Sequence, residues 1–372
     1  MFYQRLIRGI AFLLPIIINS ILCHALAMDL LKSEPGFITN YKQQLPIIHQ
    51  SDNLAQAVCE FLLSFKQELP SLNEEGLKAR LSNHISQQKP LQLLLVGFPS
   101  KSTNTETKVI GPTVDLGEYI ALITLNHIVE QISKIYSPGA HMTIISDGVL
   151  YTEALRMPED LPQQYGDQLQ LLAQSLSTRI KILTLRDFEG PAAKLFPHDQ
   201  REYFLKEKHF ACSPEDDSTL KGKKYFAESE FKCEVWNMYF ITQALEKLKL
   251  SHVPVTKKDV QEFNTIKNSY QKKQVETLLQ AISEGSQQFG AYISKFYPNY
   301  SDVIRLSVHA HGDVSQKLGI NVIYNAQGTP WHKTPLVTPE GIRLIYLGEL
   351  PKNSSLQILE INGVKLPYYE IQ

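Results

Sequence analysis

The stretch LQLLLVG, residues 91–97, decides the fold, because a short apolar run ends there at a glycine and a polar loop follows. An apolar run of this length predicts a β-strand that is buried on both faces. Similar runs follow at residues 142–145 and 180–185, and a segment with helical periodicity separates each run from the next. This alternation of strands and helices predicts a parallel sheet with right-handed crossovers, and therefore an α/β fold.

The rest of the chain divides into helical and strand-rich parts. Apolar spacing and a capping-box pattern predict helices at residues 51–69, 71–85, 116–136 and 160–177. Strand character returns at residues 303–308 and 320–323, and Asn362-Gly363 predicts a hairpin turn. Residues 190–300 are charged and are predicted to be largely helical. The predicted architecture is a Rossmann-like, mostly parallel sheet with a helical flank or insertion and a small β-rich C-terminal piece.

The composition of the 372 residues bounds the class of protein. Apolar residues make up 43%, which is enough for a sizeable core and too many for a disordered chain. Lys and Arg number 37 against 38 Asp and Glu, which argues against a nucleic-acid binder driven by overall charge. The four cysteines form neither a CxxC pair nor a dense disulfide framework. These features indicate a soluble, globular protein with a catalytic role.

The first 27 residues have the pattern of a secretory leader. Arg5 and Arg8 precede an apolar run at residues 10–22, and the small residues around Ala27 resemble a cleavage site. We therefore predict that residues 1–27 are a signal-peptide-like leader, with export to the periplasm or the medium. Two alternatives are an uncleaved leader, which would be the sole contact with a membrane, and translation from Met28, which would leave the protein in the cytoplasm.

The loop after the first predicted strand carries cations and hydroxyls. Ser100, Lys101 and Ser102 follow the strand directly, and Lys108 comes later in the same loop, ahead of a predicted helix. Lysines and hydroxyls near a helix N-terminus suit a phosphate group, because free amides and the helix dipole add to the cationic charge. The Walker spacing of glycine and lysine is absent, so the loop is not a P-loop. The alternative is a solvated loop before a capped helix.

Three carboxylates lie at the predicted ends of strands or starts of helices. Asp115 and Glu118 are three residues apart at the start of the long helix, so both can project toward the same end. Asp147 follows the second strand, where it could act as a general base. The alternatives are favourable acids near a helix N-terminus for the first two and a turn residue for the third.

The strand at residues 303–308 combines three functional side chains. Alternation places Arg305, Ser307 and His309 on one face. Arg305 could grip a carboxylate through two parallel hydrogen bonds, and His309 could move protons near neutral pH. The alternative is an edge strand with its polar face in water.

Trp331 and His332 follow a Thr-Pro pair and form the last candidate set. They could line a pocket for an aromatic substrate, or Trp331 could simply be buried in the core. His332 with His309 and His311 would be a metal set, but no acidic residue is spaced to complete it, so no metal is predicted.

Taken together, these clusters resemble the isocyanide (isonitrile) synthases of the pyoverdine/dityrosine biosynthesis family. The resembling segments appear in the family's order over roughly residues 50–335. They are Gly97-Phe98-Pro99-Ser100-Lys101-Ser102 with Asn104, Lys108-Val109-Ile110-Gly111, Asp115-Leu116-Gly117-Glu118, Ser146-Asp147-Gly148, Arg305-Leu306-Ser307-Val308-His309 and Thr329-Pro330-Trp331-His332. On this resemblance, residues 28–335 are expected to form the synthase-like domain and residues 336–372 a β-rich extension.

The resemblance implies conversion of the amine of tyrosine or tryptophan to an isocyanide in secondary-metabolite or siderophore-type biosynthesis. Ribulose 5-phosphate would supply the carbon as co-substrate, no cofactor is expected, and a downstream oxygenase is a possible partner. The chain departs from the family pattern at Val149, Glu153 and Ala310. Two alternatives from other classes are an exported, non-catalytic binder of an anionic ligand on the same fold, and a phosphosugar lyase.

The implied reaction assigns a role to each cluster. Asp115, Glu118, Asp147 and His309 would transfer protons. The substrates would be bound by Ser100, Lys101, Ser102, Lys108, Arg305, Ser307, Trp331 and His332. Within this set the loop lysines and serines would hold the phosphate, and Arg305 would hold the carboxylate of the amino acid.

Overall fold

A computed structural model describes residues 34–67, 74–102, 105, 108–146, 160–184, 303–308, 317–326 and 328–371. The predicted leader, the predicted helical part at residues 190–300, and the candidates Asp147 and His309 lie outside these residues. The chain divides into two compact units, Met1–Gln43 and Gln44–Gln372. Helix α1 (Gly36–Gln44), of which all but Gln44 belongs to the first unit, begins after Glu34, and the Glu34 carboxylate pairs with Lys42 at 2.5 Å. The elements below belong to the second unit.

The described residues form the predicted parallel sheet. Its strands are β1 (Leu91–Val96), β2 (Ala140–Ser146), β3 (Ile180–Thr184), β4 (Ile304–Ser307) and β5 (Leu318–Gly319). They lie in the order β3-β2-β1-β4-β5, and every pairing is parallel. The prediction of an α/β fold with a mostly parallel sheet is confirmed.

Strand β1 lies at the centre of this sheet. Leu93 pairs with Met142 on one side and with Ile304 on the other, and Leu93, Leu94 and Leu95 are all buried, as expected of an apolar strand that is covered on both faces. The chain moves from β1 outward to β3 and then continues on the opposite side of β1 with β4 and β5. Ligands of open parallel sheets bind at such a reversal of strand order, beyond the carboxyl ends of the strands. The topology therefore directs attention to the loops after β1 and β4.

Four helices accompany the sheet in the described residues: α2 (Leu54–Leu63), α3 (Glu74–Ser86), α4 (Leu116–Ile135) and α5 (Asp160–Leu176). Helix α3 packs on β1 and β4, whereas α4 packs on β2 and α5. Helix α4 is buried almost all round, from Leu116 to Ile132, so it is a core helix rather than a surface one.

Two predicted boundaries are wrong for the same reason. Helix α2 ends at Leu63, short of the predicted residue 69, and the predicted strand at 320–323 is replaced by strand β5 and turns. Lys66 forms an isolated antiparallel bridge with Ile320, and the Gln67 backbone N–H donates to the Gly319 carbonyl at 3.1 Å. This pairing between distant segments overrides the local periodicity of both.

The predicted β-rich C-terminal piece is a separate mixed sheet. Its strands are β6 (Thr334–Thr338), β7 (Gly341–Ile345), β8 (Ser354–Ile361) and β9 (Val364–Ile371), in the order β7-β6-β9-β8. The hairpin turn between β8 and β9 has Asn362 at φ 50° and Gly363 at φ 78°, as a two-residue primed turn requires. Helix α4 packs against β9 and β6, and against the 3-10 helix Pro330–His332 that precedes β6. Among the described helices, none is long and apolar enough to cross a membrane.

Candidate active site

The turn after β1 is tightly fixed. The Gly97 backbone N–H donates to the Ile145 carbonyl at 3.1 Å, and the Ser146 hydroxyl donates to the Phe98 carbonyl at 2.7 Å. Phe98 adopts a φ of 55°, in the left-handed region that non-glycine residues seldom occupy. A Cβ at Gly97 would lie 3.2 Å from a Val308 methyl, so this turn leaves little room for a side chain. The strained turn directs the following residues back across the carboxyl edge of the sheet.

Lys101 is the centre of a buried polar cluster. Its Nζ lies 2.6 Å from Asp115 Oδ2 and 2.8 Å from each carboxylate oxygen of Glu118. The ammonium also donates to the Pro330 carbonyl at 2.8 Å, which connects the loop to the 3-10 helix before β6. The side chains of all three charged residues are at most 1% exposed. The structure therefore brings together three of the sequence-predicted site residues.

Asp115 and Glu118 also form the N-terminal cap of α4. Asp115 Oδ1 accepts a hydrogen bond from the Gly117 backbone N–H at 2.8 Å, and Glu118 Oε2 accepts one from the Asp115 backbone N–H at 2.9 Å. This reciprocal capping box satisfies amides that a helix terminus otherwise leaves unpaired. The sequence left two interpretations of these residues open: acids that cap a helix, or a pair of carboxyl groups at a functional site. The structure shows that the same two side chains cap the helix and lie together as a pair.

Tyr165 of α5 completes the cluster and was not predicted from the sequence. Its side chain is fully buried, and its hydroxyl donates to Glu118 Oε1 at 3.2 Å. Tyr165, Leu169 and Leu172 form the buried face of α5. A tyrosine at such a position is a recognisable signal, because a buried hydroxyl requires a hydrogen-bond partner.

The electrostatics of the cluster are set by its burial. Desolvation first, and then the neighbouring Glu118 charge, raise the pKa of Asp115 well above its usual range, while Lys101 acts in the opposite direction. Burial and the Glu118 charge likewise raise the pKa of Tyr165 well above its usual value, so its hydroxyl stays protonated. The cluster therefore contains a phenol that stays neutral and a carboxyl group, Asp115, that holds its proton more tightly than an exposed one.

The other candidate residues of the loop that carries Lys101 are also buried. Ser100, Ser102 and Lys108 are 7%, 4% and 3% exposed, so the alternative of a solvated loop is wrong for these side chains. The Ser102 backbone N–H donates to the Trp331 carbonyl at 2.9 Å. The Lys108 carbonyl accepts from the Thr334 hydroxyl at 3.0 Å, which anchors the far end of the loop to β6. Their role in phosphate binding stays a prediction.

Arg305 and Ser307 lie on β4, in register with Leu94 and Val96 of β1. Because β4 lies between β1 and β5, the alternative of a solvated edge strand is wrong. Arg305 is partly buried, and together with burial its charge lowers the pKa of Arg80 on α3, which packs on β4. The proximity of the Arg80 guanidinium to Arg305 was not predicted from the sequence.

Trp331 is buried and packs against Phe98, with ring centroids 4.9 Å apart. The His332 ring lies 6.3 Å from the Trp331 ring and is partly exposed. Trp331 thus has the packing role that the sequence left open, and its contact with a substrate stays a prediction.

Two catalytic candidates, Asp147 and His309, lie outside the described residues, as do the family departures at Val149, Glu153 and Ala310. Within the ranges that the structure describes, no three His, Cys, Asp or Glu side chains are grouped to hold a metal ion.

The protein-family comparison covers the buried cluster and the candidate residues of β4. The model of the pyoverdine/dityrosine biosynthesis protein family matches residues 81–353, which include the Lys101 cluster, Tyr165 and Arg305. The chain belongs to this family. The match confirms the family predicted from the ordered motifs.

Several curated relatives of this family member are named isocyanide or isonitrile synthases. The chain is 26% identical over 352 residues to isocyanide synthase xanB of Aspergillus fumigatus, covering 89% of this chain and 43% of that protein. It is 27% identical over 252 residues to the L-tryptophan isonitrile synthase AmbI2 of Fischerella ambigua, covering 67% and 68%. It is 26% identical over 292 residues to the L-tyrosine isonitrile synthase of Xenorhabdus nematophila, covering 78% and 80%.

A solved structure shares the fold. The crystal structure of the PvcA protein from Pseudomonas aeruginosa matches with a TM-score of 0.65 at 22% identity, covering 86% of this chain and all of that one. At this identity the likeness supports the fold, and it agrees with the parallel sheet and its flanking helices described above.

Proposed function

We propose that this family member is an isonitrile synthase that acts on the amine of an aromatic L-amino acid, tyrosine or tryptophan. Ribulose 5-phosphate is the proposed carbon donor, and the product would enter secondary-metabolite or siderophore-type biosynthesis. The observation that carries the proposal is the buried Lys101–Asp115–Glu118 cluster at the carboxyl end of the parallel sheet, inside the range that the family model matches. The names of the tryptophan- and tyrosine-specific relatives support the substrate class.

The reaction requires proton transfers at several stages. The amine condenses with the sugar ketone, and loss of phosphate and carbon–carbon cleavage then leave one carbon on nitrogen. Asp115 and Glu118 are suited to these transfers, because both contact Lys101 in a buried site and burial raises the pKa of Asp115. Asp147 and His309 are proposed as further proton-transfer groups.

The phosphate of the sugar needs a cationic cradle. Lys101 Nζ already contacts Asp115, Glu118 and Pro330, and an ammonium has three hydrogens to donate. We therefore assign Lys101 to the carboxyl pair. Ser100, Ser102 and Lys108 of the same loop are the proposed phosphate ligands.

The amino acid needs a partner for its carboxylate. Arg305 lies near Arg80 on the side of the sheet that α3 covers, and a guanidinium binds a carboxylate through two parallel hydrogen bonds. Ser307 lies two residues further along β4, and Trp331 with His332 is proposed to contact the aromatic ring. No metal or redox cofactor is part of the proposal, and a downstream oxygenase would be the partner that consumes the product.

One assay tests the proposal. The purified protein is incubated with tyrosine or tryptophan and uniformly ¹³C-labelled ribulose 5-phosphate, and the product is examined by infrared absorption and mass spectrometry. We expect an isonitrile that carries a single labelled carbon. Binding of both substrates by folded protein without product would favour the non-catalytic binder, and release of phosphate without an isonitrile would favour a phosphosugar lyase.

A further inference from the structure

If both carboxyl groups of the pair Asp115 and Glu118 were ionised, they would carry two negative charges beside the single positive charge of Lys101. Both carboxyl groups lie within 2.8 Å of the same Lys101 nitrogen, and all three side chains are at most 1% exposed. Two carboxyl groups that share a buried site with a single cation favour a state in which only one of them is ionised, because like charges close together oppose each other. The geometry therefore indicates that the pair carries one proton.

Burial supports the same proton count. The groups that face the pair come from three elements and one loop in the described residues: Lys101 from the loop after β1, the carboxyls themselves on α4, Tyr165 from α5 and the Pro330 carbonyl from the 3-10 helix. With one ammonium, one carboxylate and one neutral carboxyl, the cluster has no net charge. Any other count leaves a net charge among side chains that are at most 1% exposed, at a cost of several kcal/mol.

Tyr165 distinguishes the two carboxyl groups. Its hydroxyl donates to Glu118 at 3.2 Å, and Glu118 also accepts from Lys101 through both oxygens and from the Asp115 backbone N–H. Asp115 accepts from the Gly117 N–H and contacts Lys101 through one oxygen. Donors stabilise the ionised form of a carboxyl group, and Glu118 has more of them.

We propose that Tyr165 is a positioning residue for the carboxyl pair: its hydrogen bond keeps Glu118 ionised, so that the proton shared by the pair resides on Asp115. Asp115 is then a neutral acid and Glu118 a base, side by side at neutral pH. The assignment of roles in catalysis rests on the proposed function, but the position of the proton does not.

Isotope-edited infrared spectroscopy of the full-length protein tests this position without turnover. At neutral pH, we expect a carbonyl band of a buried, protonated carboxyl group that is lost in Asp115→Asn. Labelling aspartate side chains with ¹³C should move that band to lower frequency. The band should also be lost in Glu118→Gln, although Asp115 is intact there, because Lys101 then balances an ionised Asp115.

The role of Tyr165 is tested by Tyr165→Phe in the ¹³C-aspartate protein. Part of the band should return to the unlabelled frequency, because Glu118 now competes for the proton. The matched control is Tyr136→Phe, which removes a hydroxyl that donates to the Lys89 carbonyl at 2.7 Å. This control should leave the band unchanged.

Three results would overturn the proposal. The wild-type protein could lack a carbonyl band that depends on Asp115. The frequency of the band could stay the same when aspartate is labelled. Tyr165→Phe could leave the band as unchanged as Tyr136→Phe does. If Tyr165→Phe does not fold, incorporation of a fluorotyrosine, a stronger donor, replaces it. That protein should retain the fully shifted band and require a lower pH for a second proton to bind, and an unchanged pH would refute the role of Tyr165. Isonitrile formation is measured in a separate assay. A protein that forms no isonitrile can therefore still show the expected carbonyl band, and failure of the proposed function is distinguished from failure of this proposal.

Discussion

Replacement of Lys101 by Met removes the ammonium of the cluster while keeping a side chain of similar length. The nitrogen lies 2.6 Å from Asp115 and 2.8 Å from Glu118, and the charged side chains are at most 1% exposed. Removal of one partner from a buried ion pair costs about 3–5 kcal/mol, because an uncompensated charge stays behind. We expect Lys101→Met to lower the free energy of unfolding by about this amount at neutral pH.

The loss should also depend on pH. Without the cation, the folded variant holds protons on its carboxyl pair that the unfolded chain releases above the ordinary carboxyl range. Stability of the variant therefore falls as the pH rises, by about 1.4 kcal/mol per pH unit for each extra proton. Urea unfolding followed by circular dichroism at several pH values measures both effects.

Two further variants make this measurement decisive. Lys101→Met combined with Glu118→Gln should recover part of the lost stability, because one buried carboxylate is gone. Lys66→Met is the matched control: its partner Glu74 is 3.7 Å away and 56% exposed, so the loss should be below about 1 kcal/mol. A loss in Lys101→Met that is no larger than in this control, or that is equal at all pH values, would refute the buried-cluster reasoning.

Three further predictions concern the site and the small sheet. Asp115→Asn keeps a good helix cap but cannot bind the proton. As the pH rises, its free energy of unfolding should therefore increase relative to that of the wild type by about 1.4 kcal/mol per pH unit. This gain should occur as the pH rises from the ordinary carboxyl range toward the raised pKa of Asp115; parallel urea-unfolding curves would contradict it. Arg305→Lys should raise KM for the amino acid about tenfold more than KM for ribulose 5-phosphate in steady-state kinetics, because an ammonium cannot form the two parallel bonds, and equal increases would exclude the carboxylate role. Gly363→Ala should cost about 1 kcal/mol in thermal unfolding with activity retained, since φ is 78° there, and an unchanged Tm would show that the turn tolerates a side chain.

The parallel sheet could be predicted from the sequence because its first three strands are short apolar runs separated by helical segments. This alternation is typical of buried parallel strands. The run at Leu91–Val96 lies between β2 and β4, and Leu93, Leu94 and Leu95 are buried, an environment that the apolar pattern indicates directly. The end of α2 at Leu63 and the turns after Ile320 could not be read locally. The bridge between Lys66 and Ile320 joins segments that are far apart in the chain, and helical or strand periodicity carries no information about it.

The candidate site divides in the same way. The spacing of Asp115 and Glu118 indicated that both carboxyls project toward one end, and both contact Lys101. The sequence favoured a phosphate ligand at Lys101, because a loop lysine normally points to solvent, and its partner Pro330 is too distant in the chain to be anticipated. Tyr165 was missed because its apolar neighbours on α5 make it resemble a packing residue, and the acceptor of its hydroxyl lies on another helix.

The capping box of α4 has a consequence for engineering this protein. The same two carboxyl groups close the helix N-terminus and hold the buried lysine, so stability and proton chemistry draw on one pair of side chains. A mutational screen scored by expression level would reject most substitutions at these positions before their effect on turnover could be seen. Variants with altered chemistry must therefore be sought in backgrounds already stabilised elsewhere, for example in the C-terminal sheet, where the folding penalty of a changed cap can be tolerated.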